Sequence, residues 1–354
     1  MSWHSGWSAS EIRVRLRAGS HTADAQPRIR GRSLRLRRWF CDETIAVSYP
    51  IHIRMGGYGP ATTSFSRALK RIGDRLEAEL GDKVKIRYVW NILDFGYRAE
   101  DILWLVEHEI LTLGYQSSSY LADRIPELGL VDLPFLFATT QQARAAIDGR
   151  LGASLTRAIE QSIGYRILGY FENGFRHVSN RLRPVRMPSD LAGMTIRVLP
   201  SSVHARTFEL LGAAPLRLDL TEALQAIAAG RIDAQENPLA NTVTYGVHRH
   251  HRFHSLTGHF YVSRPIFIHA GTFDAWPDEL RQAIRNAAID AVAFQRELAT
   301  EEERQARTAM QDRGCEILEL APDAHEAFVA AVKPLRAEAR HTYGDEALVL
   351  AGSP

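Results

Sequence analysis

Two arginines and one asparagine carry the clearest chemical signal in this chain. Arg197 lies inside an apolar run, Thr195-Ile196-Arg197-Val198-Leu199. Arg176 lies in Phe171-Glu172-Asn173-Gly174-Phe175-Arg176-His177, at the end of a strand-like stretch. A guanidinium in the middle of an apolar strand must be paired or serve a ligand, because an unpaired buried charge is costly. Its planar fork matches a carboxylate through two parallel hydrogen bonds. An anion site and an internal ion pair to Glu172, Asp219 or Glu236 both satisfy these residues. Asn237, in Gln235-Glu236-Asn237-Pro238, sits between a strand end and a proline-started helix. Its side chain can donate to a ligand oxygen or cap that helix.

Other chemistries find less support. His248, His250, His251 and His254 crowd one segment, but arginines are interspersed and no Asp or Glu is near. Metal ligands need a convergent set with a supporting shell, so a solvated surface is the expectation there and no metal is expected. No nucleophile elbow, phosphate loop or HExxH helix is present, so no catalytic residue is assigned. Gly56-Gly57-Tyr58-Gly59 follows a strand but lacks the GxGxxG spacing, and no cofactor is expected. Ser117 to Ser119 have no flanking nucleophile motif. Cys41 and Cys315 stand in unlike contexts, which excludes a disulfide framework, and Cys315 reads as a small core residue.

These residues must be positioned by a sizeable scaffold. The 354 residues exceed one ordinary core, and two domains of about 100–200 residues are expected. Hydrophobic residues make up 45% and charged residues 24%, ordinary for a globular protein. A net charge of +2 gives no general case for nucleic acid as a partner. No apolar stretch reaches the roughly 18 residues of a membrane helix.

Residues 1–49 differ from the rest. Nine arginines and no lysine fall within residues 1–40. A basic arm and a disordered or mis-started leader are the two readings; like-charge repulsion and the lack of interleaved aromatics favour the leader. The alternating run from Ile12 to Arg17 has strand character but no evident partner. No signal-peptide pattern is visible in this segment. Ordered structure is expected to begin near Ile51, after the Tyr49-Pro50 break.

From there, strand and helix patterns alternate. Strands are expected at 51–55, 84–90, 110–115, 165–170, 194–199 and 232–235. Helices are expected at 61–80, 102–106, 141–163, 203–211, 220–229 and, without internal Gly or Pro, from Pro277 to about Asp312. The alternation indicates a doubly wound α/β fold. The last helix spans about 50 Å, longer than one small domain, and can brace two lobes. Ligands of such sheets sit beyond the strand carboxyl ends, which points to the loops at 56–60, 116–120 and 236–238.

Several of these segments, taken in order, resemble the solute-binding proteins of TRAP-type (tripartite ATP-independent periplasmic) transporters. The strand from Gly193 to Pro200 is similar to the one that carries their ligand arginine. Leu220 to Gln225, followed by Gly230 to Pro238, resembles their most recognisable signature, with Ala234 where glycine is more common. Leu133 to Phe137, Asn173 to Arg176 and Trp276 to Leu280 also match family motifs, and the likeness covers about residues 50–340.

The resemblance implies a periplasmic-binding-protein-like fold of two lobes with the long helix spanning both. Lobe I would be 50–173 plus 263–302, and lobe II 174–262 plus 303–354. It implies that Arg197 makes the main salt bridge to a ligand carboxylate, with Arg176 a second cationic contact and Asn237 a donor. Gly57, Tyr58, Gln116, Ser117, Ser118 and Tyr120 would line one side and Leu220 the other. The implied ligand is a hydroxy, sugar or aromatic acid. A glutamate and a further arginine that sialic-acid-binding relatives place near Ser117 and Tyr120 are lacking. The implied partners are the small and large integral-membrane subunits of the transporter, the implied compartment is the periplasm, and the protein is expected to be a monomer. The alternatives are an enzyme on a similar scaffold, which would need a convergent acid–base pair, and the effector-binding domain of a regulator, which would need a helix-turn-helix before residue 50.

Overall fold

The computed structural model describes residues 50–352, which belong to one structural unit. The expected leader, its alternating run and Cys41 lie outside the described residues.

One half begins with β1 (Ile51–Gly56), α1 (Ser64–Leu80), β2 (Val84–Val89), α2 (Asp101–Glu107) and β3 (Leu113–Tyr115), with β1 parallel to both β2 and β3. Helix α1 forms because its apolar residues recur every three or four positions. Phe65, Leu69, Ile72, Leu76 and Leu80 are all buried, and the Thr63 hydroxyl caps the first turn by accepting from the Ser66 N–H. The stretch expected to be one helix over 141–163 is two, α3 (Thr140–Asp148) and α4 (Arg150–Ser162). The break falls at Gly149, whose extended ψ of −147° no helix can continue.

Strand β4 (Tyr165–Asn180) is far longer than the expected 165–170. The second half follows: β5 (Thr195–Val198), α5 (Ser202–Leu210), β6 (Ala214–Arg217), α6 (Leu220–Ala228), β7 (Ala234–Asn237) and α7 (Leu239–Thr244), with β5 parallel to β6 and β7. Next come β8 (Phe253–His269), α8 (Ala270–Asp274), α9 (Asp278–Asp312), β9 (Glu316–Glu319), α10 (Pro322–Ala331), α11 (Lys333–Tyr343) and α12 (Asp345–Leu350). β8 and α10 to α12 were not assigned from sequence, while the strand-like run after Gly314 corresponds to β9.

The strand order is β2-β1-β3-β8-β4-β7-β5-β6, with β9 beside β8. β4 and β8 pair antiparallel along most of their length and belong to both halves. β8 pairs with β3 at its C-terminal end and with β9 at its N-terminal end, while the end of β4 pairs with β7. The fold is therefore α/β as expected, but the sheet is mixed, with two long strands joining its parallel halves.

α9 has 35 residues, and acidic Asp278 and Glu279 occupy its first turn, where the helix dipole favours them. Its buried stripe is rich in alanine (Ala283, Ala287, Ala288, Ala291), which lets α1 and β4 approach closely. A bulge between Glu172 and Gly174 interrupts the β4–β8 pairing. The backbone groups of Glu172 are satisfied instead by buried Gln295 of α9, which accepts from the N–H and donates to the carbonyl, each at 2.9 Å. The long helix is thereby tied to the point where the long strands bend.

Candidate functional site

Arg197 stands in β5 between two fully buried apolar neighbours, Ile196 and Val198. Strand alternation sends its side chain to the opposite face from theirs. It is 1% exposed, yet its partners are neutral: Nε donates to the Leu218 carbonyl at 3.0 Å and Nη2 to the Tyr120 hydroxyl at 3.2 Å. Tyr120 Oη also accepts from the Leu220 N–H at 3.1 Å. With both lone pairs engaged, that hydroxyl can direct its own proton toward a ligand oxygen.

Arg176 leaves the β4 bulge beside Gly174, whose φ of +90° favours glycine. It is also 1% exposed, and here the internal-pair reading is realised. Arg176 Nε donates to Glu236 Oε2, and Nη2 donates to Oε1 at 2.9 Å and to the Glu236 carbonyl at 2.6 Å. Burial alone would raise the Glu236 carboxyl, but Arg176 beside it, helped by His259, holds it well below the usual carboxylate range.

A small, half-open cleft brings together Arg197, Arg176, Asn237, Tyr58, Ser117, Tyr120 and Leu220, all named from sequence, and adds Leu199, Asn241, Tyr245 and Arg264. The Asn237 side chain does not cap α7. That role falls to Glu303 of α9, whose carboxylate accepts from the Leu239 and Ala240 N–H groups at 3.0 and 2.9 Å. Asn237 Oδ1 instead accepts from Asn241 Nδ2 at 3.2 Å, which leaves its own amide free to donate. Burial pushes the hydroxyls of Tyr58, Tyr120 and Tyr245 above their ordinary value, with nearby arginines opposing in part, so all three are neutral donors.

Three named residues do not face the cavity. Gln116 spends both ends of its amide, donating to the Ala99 carbonyl at 2.7 Å and accepting from the Ser117 N–H at 2.8 Å. The Ser118 hydroxyl is buried without a hydrogen-bond partner among the described residues. Gly57 supports the wall from behind: a Cβ there would lie 2.7 Å from the Tyr115 hydroxyl and 3.0 Å from the Trp90 carbonyl.

Arg264 of β8 lines the same cleft and was not named from the sequence. It is 3% exposed, with its guanidinium carbon 4.0 Å from the Phe65 ring centroid and 5.1 Å from that of Tyr58. Nη2 donates to Asn173 Oδ1 at 2.7 Å, while Nε has no partner among the described residues. The signal was available, because an arginine between Ser263 and Pro265 within an apolar stretch invites the same question as Arg197. All three arginines and Tyr245 line the same cleft, and each arginine opposes the upward push of burial on the Tyr245 hydroxyl.

The histidine segment needs a correction. His251 and His254 are each 1% exposed, not solvated. Ser179 Oγ lies 2.9 Å from His251 Nδ1, and His254 Nε2 lies 2.9 Å from the His251 carbonyl. His251 Nε2 is buried without a hydrogen-bond partner among the described residues, and burial lowers both imidazoles so that they are held neutral. No group of metal-ligating side chains converges among the described residues. Cys315 is half-buried, with its thiol 3.5 Å from the His248 carbonyl. A larger groove holds Glu303, Arg304 and Arg307 among its walls, but these charges are engaged: Glu303 at α7, Arg304 with Glu301 and Arg307 with Glu319.

Comparison with known proteins identifies the family. The profile of the DctP family, bacterial extracellular solute-binding protein family 7, matches residues 55–342. A solute-binding protein from Verminephrobacter eiseniae is 29% identical over 79% of this chain and 82% of its own. The 2,3-diketo-L-gulonate-binding periplasmic protein YiaO from Escherichia coli is 29% identical over 75% of this chain and 80% of its own. The crystal structure of a TRAP periplasmic solute binding protein from Polaromonas sp. JS666, bound to D-erythronate, superposes with a TM-score of 0.80 at 25% identity, covering 85% of this chain and 98% of that one. A fold of two joined α/β halves, a buried arginine facing a small cavity and a profile match over most of the length converge on one conclusion: the chain belongs to the DctP family of TRAP-type extracellular solute-binding proteins.

Proposed function

We propose that this protein captures a small organic carboxylate in the periplasm and delivers it to the small and large membrane subunits of a TRAP transporter, acting as a monomer and not as an enzyme. Lobe I, 50–173 plus 263–302, and lobe II, 174–262 plus 303–354, close over the ligand. The observation that carries this reading is Arg197, a buried guanidinium held only by neutral acceptors and facing a small cavity. A carboxylate there would receive charge-assisted bonds from Arg197, with Tyr120 and Asn237 as further donors. Arg176 contributes field to the cavity, while Glu236 already engages it directly. Leu199 and Leu220 supply apolar wall against the carbon skeleton. The ligands in the names of the two relatives, 2,3-diketo-L-gulonate and D-erythronate, are sugar acids, which supports a hydroxy or sugar acid here.

Asp219 supports this closure. Asp219 caps α6 by accepting from the Thr221 N–H at 2.8 Å, and it also accepts from the Glu100 N–H of the opposite lobe at 3.1 Å. Thermal-shift measurements on the full chain with D-erythronate, D-gluconate and 2,3-diketo-L-gulonate, each beside its uncharged amide, test the assignment. A rise in melting temperature that grows with the logarithm of acid concentration is expected for an acid and not for its amide. Equal responses to acid and amide would contradict a carboxylate clamp.

A further inference from the structure

Asn173 is the extra residue of the β4 bulge. Glu172 pairs with Ser263 and Gly174 with Val262, so Asn173 has no register partner on β8. A bulge re-aims the side chain it carries. Here that side chain belongs to a buried residue, and its one oxygen serves two cleft residues. Oδ1 accepts from Arg264 Nη2 at 2.7 Å and from Asn241 Nδ2 at 2.8 Å. Asn241 Nδ2 also donates to Asn237 Oδ1 at 3.2 Å. Asn173 thus fixes Arg264 directly and Asn237 through one intermediate.

Both neighbours are donors, so the amide must turn its oxygen toward them and its nitrogen away. As a result, Asn173 Nδ2 is buried without a hydrogen-bond partner among the described residues. Buried donors are normally satisfied. An aspartate has nearly the same shape. It would accept the same two bonds, carry no N–H to leave unpartnered and give Arg264 a counter-ion. Asparagine forgoes that pairing. The other surroundings of Arg264 are neutral as well: the Phe65 ring at 4.0 Å and the Tyr245 hydroxyl. The acids nearby are engaged elsewhere, Glu172 by Arg144 and Tyr261 and Glu302 by the Ser64 N–H at 2.5 Å.

We infer that Asn173 is a positioning residue of the cleft: its oxygen places Arg264 and Asn237, and its lack of charge reserves the Arg264 guanidinium for the bound anion. This inference rests on the reading of the cleft as an anion site. Asn173 does not line the cleft itself, so it acts through the two residues it holds.

The test is Asn173→Asp, which keeps both acceptor bonds and adds only the counter-ion. A merely structural Asn173 would let this variant bind as the wild type does. The probe is whichever of D-erythronate, D-gluconate and 2,3-diketo-L-gulonate the wild-type chain binds most tightly. Calorimetric titration of Asn173→Asp should show at least tenfold weaker binding and a smaller preference for the acid over its amide. Its melting temperature without ligand should be no lower than that of the wild type. Arg264→Gln, which keeps a donor for Asn173, removes the same charge from the other side and should lose affinity similarly. Wild-type affinity in Asn173→Asp, or in a folded Arg264→Gln chain, would overturn the inference, and so would an Asn173→Asp chain that melts well below the wild type. In these cases a wild-type preference for acid over amide leaves the carboxylate reading intact. A wild-type chain with no such preference would count against the carboxylate reading, and this inference would fall with it.

Discussion

Arg176 and Glu236 form a buried ion pair in which the guanidinium meets both the carboxylate and the backbone carbonyl of one residue. The pair joins β4 to β7 across the floor of the cavity, because His177 and Asn237 are register partners in these strands. Removing one member leaves an uncompensated buried charge. Glu236→Ala is expected to destabilise the fold by about 3–5 kcal/mol, and the double change to leucine at both positions to recover most of that loss. Urea unfolding of the two variants checks this. A double variant as unstable as the single one would contradict it.

Two buried histidines, His251 and His254, and the half-buried His177 set the response to acid. Burial lowers His177 and His251 to about 3 and His254 to about 4, against an ordinary value of 6.5. The unfolded chain binds these protons first, so their contribution is fully present above about pH 6.5. It is lost as pH falls toward the folded-state values of about 3 to 4, at about 1.4 kcal/mol per pH unit for each residue. His251→Gln should flatten the stability profile between pH 6.5 and 5 by about that amount. An unchanged slope in pH-dependent urea unfolding would show that His251 is already charged in the folded protein.

Glu303 couples the long helix to the wall of the site. Its carboxylate receives the first two N–H groups of α7, directly after Asn237 and Pro238. Glu303→Ala is expected to cost about 0.5–2 kcal/mol of stability, the usual value of a lost cap. It should also weaken ligand binding modestly, because Asn237 then loses its fixed position. Full stability with intact affinity would show that water replaces the carboxylate without consequence.

Much of this architecture was legible in the sequence, and the exceptions have physical causes. α1 and α9 were legible because their apolar residues repeat with the helical period and their ends carry recognisable residues. β5 was legible as a short apolar strand before a helix, and the β7 region as a short strand before a proline-started helix. β8 was not, because a strand buried on both faces shows no alternation. Its Gly258, Pro265 and scattered histidines also resemble breaks in a linear reading. Arg264 was hidden with it. The pairing of Arg176 with Glu236 was one of the alternatives left open by the sequence, and only the antiparallel register of β4 and β7 selects it. Gln116 was misplaced because a polar residue in a loop after a strand reads as a ligand donor, whereas its amide satisfies neighbouring backbone.

The most direct measurement is calorimetric titration of Arg197→Ala with the acid that binds the wild-type chain most tightly. Loss of a charge-assisted contact in a buried site should weaken binding by about 2–5 kcal/mol, with the fold retained by circular dichroism and melting temperature. Unchanged affinity in a folded Arg197→Ala protein would contradict the assignment of Arg197 as the carboxylate anchor.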